Sequence, residues 1–254
     1  MKKFIESFIN VWKIEELKNK ILVTLGILLV YRFGSQVTLP GIDSTKLQSL
    51  SNQTEGGIGW LINVFTGGAF SEASIFALGI MPYISASIVV QLMGIAIPYL
   101  QKLQKDGESG RKTINQITRW LTIAITLVQG PGYIFNLKQT LPAEAFVNPD
   151  FFTFFPLFGS VLIIVSGTIF AMWLGERITE KGIGNGISLL IMVGILARMP
   201  EAFMQEFATA INNGGPMKII IEVIIWLLVI IATILLVMAL RKVQVQYARR
   251  SVSG

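Results

Sequence analysis

Long stretches without a single charged residue constrain the fold of this chain more than any other feature. The longest of them runs from Ala73 to Gln101, and a helix that crosses the hydrocarbon core of a bilayer needs about 20 mainly apolar residues. Charged residues make up only 14% of the 254, against about 25% in an ordinary soluble domain. So few charges cannot cover the surface of a water-soluble globule, which disfavours the alternative of buried helices in a large soluble protein.

Six windows have the length and composition of membrane spans, and they predict an all-α polytopic membrane protein with six transmembrane helices. The predicted spans are residues 21–40, 73–101, 120–137, 151–175, 187–207 and 219–240. A cytoplasmic amphipathic segment that lies in the membrane plane is predicted over residues 1–20. Cytoplasmic loops are predicted over residues 102–119 and 176–186, and residues 241–254 begin a further one.

The positions of the basic residues predict the orientation of these spans. Of the 21 Lys and Arg residues, 16 fall on the side that carries both termini and four on the opposite side. Basic residues accumulate on the cytoplasmic side of membrane proteins, so both ends of the sequence are expected in the cytoplasm. Arg32 lies inside the first predicted span, where it is expected to snorkel or to pair with a polar group on another helix.

The composition removes most enzyme chemistry. The sequence contains no Cys and no His, so thiolate metal sites, cysteine nucleophiles and the commonest general base are excluded. Three alternating glycines at 182, 184 and 186 do not have the spacing of a dinucleotide site. A secondary transporter would need several ionisable groups at the midplane, and these are scarce. We therefore expect no enzyme activity and no cofactor.

A short apolar segment between the first two spans is flanked by glycines, over residues 57–71. Its apolar part is too short to cross a bilayer and consists of Trp60, Leu61, Ile62, Asn63, Val64 and Phe65. Glycines on both sides give hinge freedom, which favours a re-entrant helix that can move. An interfacial helix that stays on the outer surface is the alternative.

Four segments together resemble the SecY family of protein-conducting channels. They are Phe65–Ile88, Asp106–Lys112, Trp173–Ser188 and, more weakly, Arg241–Arg250. The resemblance implies a clamshell of ten helices in two halves, of which this sequence matches the amino-terminal part through span six. It further implies a pore-forming subunit that conducts unfolded secretory proteins and releases hydrophobic segments laterally into the bacterial cytoplasmic (inner) membrane.

The resemblance also assigns roles to residues. An apolar pore ring is implied at Ile80, Ile84, Ile187 and Ile191, whose i, i+4 spacing places each pair on one helix face. The resemblance assigns residues 57–71 to the plug and Ser85 to a position near the lateral gate. The implied partners are SecE, SecG, the SecA motor or the ribosome, signal sequences, nascent chains and lipids. Expected cytoplasmic contacts are Arg111, Lys112, Arg177, Lys181, Arg241, Lys242, Arg249 and Arg250.

Overall fold

The structure is a computed structural model that describes residues 13–47, 57–148, 150–213 and 216–239. The described residues form helices and turns, with two isolated β-bridges and no β-strand. The all-α prediction is therefore confirmed for this part of the chain. The helices are α1 (Glu15–Gly34), α2 (Gly57–Phe65), α3 (Met81–Ala96), α4 (Pro98–Lys105), α5 (Gly107–Thr140), α6 (Phe154–Lys181), α7 (Gly186–Asn213) and α8 (Pro216–Met238).

The predicted span over residues 73–101 differs from the structure. Residues 66–80 form successive turns, and the helix begins only at Met81. It then breaks after Ala96, and α4 leaves α3 at an angle of 102°. Proline explains both boundaries, because Pro82 and Pro98 each occupy the first turn of a helix, where the missing N–H has no intrahelical acceptor to lose.

The predicted loop over residues 102–119 is also largely helical. Helix α5 begins at Gly107 and runs for 34 residues. Glu108 lies in its first turn, where a negative carboxylate interacts favourably with the positive end of the helix dipole. Thr118, Thr122 and Thr126 are buried four residues apart, and each hydroxyl donates to the carbonyl one turn earlier. The hydroxyls are thus satisfied within α5 itself, and α5 packs against α3, α4 and α6.

Three loops pack together at the end of the bundle where α1 ends and α6 begins; we call this region the loop cap, residues 35–47, 66–80 and 141–148. The Leu39 amide donates to the Ala73 carbonyl at 2.8 Å, and the Asp43 amide donates to the Ala145 carbonyl at 2.9 Å. The buried hydroxyl of Tyr133 donates to the Phe70 carbonyl at 2.8 Å. The loop cap is thus a folded part of the protein with its own hydrogen bonds and a core that it shares with α5 and α6.

Among the residues that the structure describes, three helices are long and apolar enough to cross a membrane by length and composition: Phe154–Lys181, Gly186–Thr209 and Ile219–Met238. The bent pair of α3 and α4 makes a fourth if it counts as one span. The count of six spans stays a prediction. The chain divides into two compact units, residues 1–199 and 200–254. The first contains the bundle of α1 to α6, the loop cap and the start of α7, and the second contains the rest of α7 and α8.

Candidate functional site

The short helix α2 coincides with the apolar part of the predicted plug, and its carboxyl end is capped by two glycines. The Gly67 amide donates to Val64 at 3.1 Å, and the Gly68 amide donates to Asn63 at 2.9 Å. This is the Schellman pattern, in which the residue after the cap takes a left-handed conformation. Gly67 has φ +65° and Gly68 has φ +94°, so a side chain at either position would strain the backbone.

The loop that follows α2 is folded back on the helix by buried polar groups. The Asn63 side-chain oxygen accepts from the Ser71 amide at 3.0 Å, and the Thr66 hydroxyl donates to the Ile62 carbonyl at 2.9 Å. Asn63, Thr66 and Ser71 are each at most 3% exposed. Because buried polar groups are costly when unpaired, these bonds hold residues 66–71, which we call the plug loop, in one arrangement against α2.

Two arginines from separate helices reach the plug loop. Arg32, in the last turn of α1, donates from its guanidinium to the Gly67 carbonyl at 2.7 Å. Arg198 of α7 donates to the Ser71 hydroxyl at 3.2 Å. Both side chains are half-buried. The partner of Arg32 is a carbonyl of the plug loop, whereas the sequence led us to expect snorkelling or a polar group on another helix. The contact of Arg198 was not anticipated, because no sequence signal links it to Ser71.

Three of the four predicted ring residues lie in one cluster. Ile80 is buried at 4% exposure, and half-buried Ile84 and Ile187 pack against the core that contains it. The amide of Ile84 donates to the Ile80 carbonyl at 3.0 Å, so the two residues are one helical turn apart. Ile191, one turn beyond Ile187 on α7, is half-buried and does not belong to this cluster.

A groove of about 260 Å³ opens beside this cluster. Its apolar lining includes Ile84 of α3 and Ile187 of α7, and its polar lining includes Ser87, Gln91 and Asn185. Apolar side chains from two helices therefore line one depression together with polar groups. Ser85, the predicted lateral-gate residue, is half-buried on α3 next to Ile84.

The predicted basic contact residues divide into groups. Arg111, Lys112 and Lys181 are exposed, and Arg177 is half-buried and pairs with Glu180 at 3.4 Å. Four of the basic residues lie outside the described part: Arg241, Lys242, Arg249 and Arg250. The side chain of Trp60, a predicted plug residue, also lies outside it. The exposed positions can approach a partner, but the structure does not bring them into one cluster with the isoleucines.

An ion pair links α5 and α6 near these basic residues. Arg119 makes two parallel hydrogen bonds to the Glu176 carboxylate, at 3.0 and 2.6 Å. The bond to Glu176 raises the pKa of Arg119 above its ordinary value, so the guanidinium keeps its charge. The pair fixes α5 against the last two turns of α6.

Within the described ranges, no group of three or more Asp, Glu, His or Cys side chains could hold a metal ion. The arrangement consists of apolar side chains around a groove and a polar, glycine-rich loop gripped by arginines. Together with the long apolar helices, this arrangement defines a helical membrane protein. The comparisons with known proteins agree with this class.

The chain belongs to the SecY family. The model of that family, described as SecY, matches residues 74–254. The protein translocase subunit SecY of Buchnera aphidicola subsp. Schizaphis graminum is 41% identical over an alignment of 255 positions, which covers 98% of this chain and 57% of that protein. The SecY subunit of Escherichia coli strain K12 is 42% identical over an alignment of 239 positions, which covers 92% of this chain and 53% of that protein. The chain thus spans little more than half the length of these relatives.

Two solved structures show the fold. A structure of a protein conducting channel aligns with a TM-score of 0.53 at 23% identity, over 85% of this chain and 47% of that chain. Sec61 in a canine ribosome-channel complex from the endoplasmic reticulum aligns with a TM-score of 0.52, also at 23% identity. At this identity the likeness supports the helical arrangement.

Proposed function

We propose that the chain is the amino-terminal part of the pore-forming subunit of a protein translocase, which conducts unfolded secretory proteins and releases hydrophobic segments sideways into the membrane. One observation carries the proposal: Ile84 of α3 and Ile187 of α7 line the same groove, with Ile80 packed behind them. We refer to these three residues and Ile191 as the waist.

The chemistry of the waist suits an unselective polypeptide pore. A narrow apolar constriction expels water and so blocks hydrated ions. Isoleucine side chains offer no hydrogen bonds, so they do not discriminate between the side chains of a passing polypeptide. The polar groups of Ser87, Gln91 and Asn185 line the same groove, and they would keep the approach to the waist hydrated.

Helix α2 is proposed to act as the plug that closes this pore from outside at rest. The plug loop follows α2 directly and leads into the turns that end at Ile80. Movement of α2 would therefore act on the waist through a short connection. The glycine cap at 67 and 68 gives that connection its special backbone conformation.

The remaining proposals concern topology and partners. We place the protein in the bacterial inner membrane with six spans and a cytoplasmic amino terminus, as the charge distribution predicts. Ser85 would lie at a lateral gate through which an apolar signal sequence leaves the channel. The signal sequence would favour the lipid, since each CH₂ group that it moves out of water is worth about 0.8 kcal/mol. SecE, SecG, and either SecA or the ribosome would supply the partners, and the exposed basic residues would contact them.

The proposal is tested by ion conductance of the whole channel in planar bilayers. Ile84→Gly and Ile191→Gly remove the apolar side chain from the waist and should raise the resting leak. Val89→Gly and Leu196→Gly are matched controls on the same two helices, because both residues are exposed and neither lines the groove. A resting leak that is unchanged in the waist variants, or equally raised in the controls, contradicts the proposal.

A further inference from the structure

The plug loop is gripped from two sides by cationic side chains that come from different helices. Arg32 extends from α1 to the Gly67 carbonyl, and Arg198 extends from α7 to the Ser71 hydroxyl. The Ser71 hydroxyl in turn donates to the Gly68 carbonyl at 3.0 Å. Both contacts therefore converge on the same few residues, directly behind the carboxyl end of α2.

The electrostatics favour this placement of the two charges. The acceptors are a backbone carbonyl and a hydroxyl, so each guanidinium gains a charge-assisted hydrogen bond with a neutral group. A helix carries partial negative charge at its carboxyl end, and the Gly67 carbonyl lies two residues beyond the last residue of α2. The charges of Arg32 and Arg198 thus stabilise α2 when its negative carboxyl end lies near the two guanidinium groups.

The packing at the loop holds it directly against α7. A Cβ atom added to Gly67 would lie 2.7 Å from the Gly194 Cα on α7, and one added to Gly68 would lie 2.8 Å from the Arg198 Nε. The plug loop is therefore pressed against the face of α7 that carries Arg198. The loop cannot leave this face of α7 without losing its contact with Arg198.

We propose that Arg32 and Arg198 form a two-point latch that holds the plug loop, and with it α2, in the closed position until translocation begins. Both are positioning residues, since they act on the pore through the loop. The latch rests on the proposed function, in which α2 is the plug. In this proposal α1 and α7 control the opening of the channel, because a shift of one helix relative to the other releases the plug.

Breaking one latch contact should shift the balance between closed and open plug by about tenfold, the effect of losing one hydrogen bond to a charged group. Arg32→Met and Arg198→Met in the whole channel should each raise the resting ion conductance by about that factor. Because the two contacts come from separate helices, the double variant should exceed either single one. Arg32→Lys keeps a charged donor and should restore part of the closure.

Two controls separate the latch from general effects of charge and folding. Lys46→Met removes a cation from the same end of the bundle, where Lys46 pairs with Glu144 at 3.3 Å, and should leave the leak unchanged. Ser71→Ala removes the acceptor of Arg198, so adding it to Arg198→Met should raise the leak no further than the larger single effect. Thermal unfolding of each purified variant in detergent shows whether it is folded.

The outcome distinguishes failure of the latch from failure of the proposed function. If deletion of residues 57–65 raises the leak but Arg32→Met and Arg198→Met do not, α2 is the plug and the latch is refuted. If the deletion also leaves the leak unchanged, the plug assignment fails. In a channel without residues 57–65 the arginine variants should add nothing, and a further rise there would contradict a role through the plug.

Discussion

Gly67→Ala should unseat the plug loop. Gly67 combines φ +65° with a close backbone approach: an added Cβ would lie 2.7 Å from the Gly194 Cα and 3.0 Å from its carbonyl oxygen. An ordinary contact of this kind is about 3.4 to 4 Å. Since the neighbour is helix backbone and not a flexible side chain, the loop and α7 have to separate.

The backbone conformation alone gives a lower bound for the effect. A left-handed conformation costs a residue other than glycine about 1–2 kcal/mol. Such an energy changes a two-state ratio by about 5- to 30-fold. The loop should therefore spend 5- to 30-fold more time away from α7, and the steric overlap with Gly194 adds to this. The same shift should weaken the hydrogen bond from Arg32 to the Gly67 carbonyl.

The assay is the resting ion conductance of the whole channel, with Gly107→Ala as the control. Gly107 has nearly the same backbone conformation, φ +67°, but an added Cβ there meets nothing within 4 Å. Both variants carry the conformational strain, and only Gly67→Ala displaces the plug loop from α7. The reasoning is refuted if Gly67→Ala leaks no more than Gly107→Ala while both proteins remain folded.

Two predictions concern the packing that supports the site. Tyr133→Phe removes the buried hydrogen bond to the Phe70 carbonyl and should lower the free energy of unfolding in detergent by about 1–2 kcal/mol, while the exposed Tyr99→Phe should not; equal effects would contradict the role of the loop cap. Arg119→Met breaks the pair with Glu176 and should destabilise by about 1 kcal/mol at low salt. This difference should shrink in 1 M salt, where charges are screened within about 3 Å, and a difference independent of salt would argue against an ionic contribution.

Apolar composition located the helices that are apolar along their whole length. The windows over residues 151–175 and 219–240 overlap α6 and α8 closely. Such windows record burial or lipid contact and not helical periodicity. The stretch of residues 73–80 therefore looked like the start of a span, although it forms turns in which Ala73 and Gly79 have positive φ. These turns are buried by residues far away in the sequence, among them Tyr133.

Polar helices were missed for the opposite reason. Residues 107–119 carry many charges and fell outside every apolar window, yet they form the first third of α5. The Glu108 that follows Gly107 is a helix-start signal, and it could have placed this boundary. Helix α2, in contrast, could be predicted from the sequence, because its short apolar segment lies between glycines.

The site was predictable only in part. The resemblance to SecY singled out Ile80, Ile84 and Ile187, which the structure brings together, and their role in a pore stays a prediction. The contacts of Arg32 and Arg198 could not be predicted, because they join residues separated by 35 and 127 positions. Such contacts depend on how the helices pack, and a single sequence carries no local pattern for them.

The most direct test of the waist is crosslinking to a polypeptide arrested during translocation. The 254 residues contain no cysteine, so Ile84→Cys and Ile187→Cys each introduce one reactive thiol into this part of the channel. Both should crosslink to a single cysteine in the middle of the arrested chain, and Val89→Cys and Leu196→Cys should not. Crosslinks from Val89→Cys or Leu196→Cys, with none from Ile84→Cys and Ile187→Cys, would show that the polypeptide passes elsewhere.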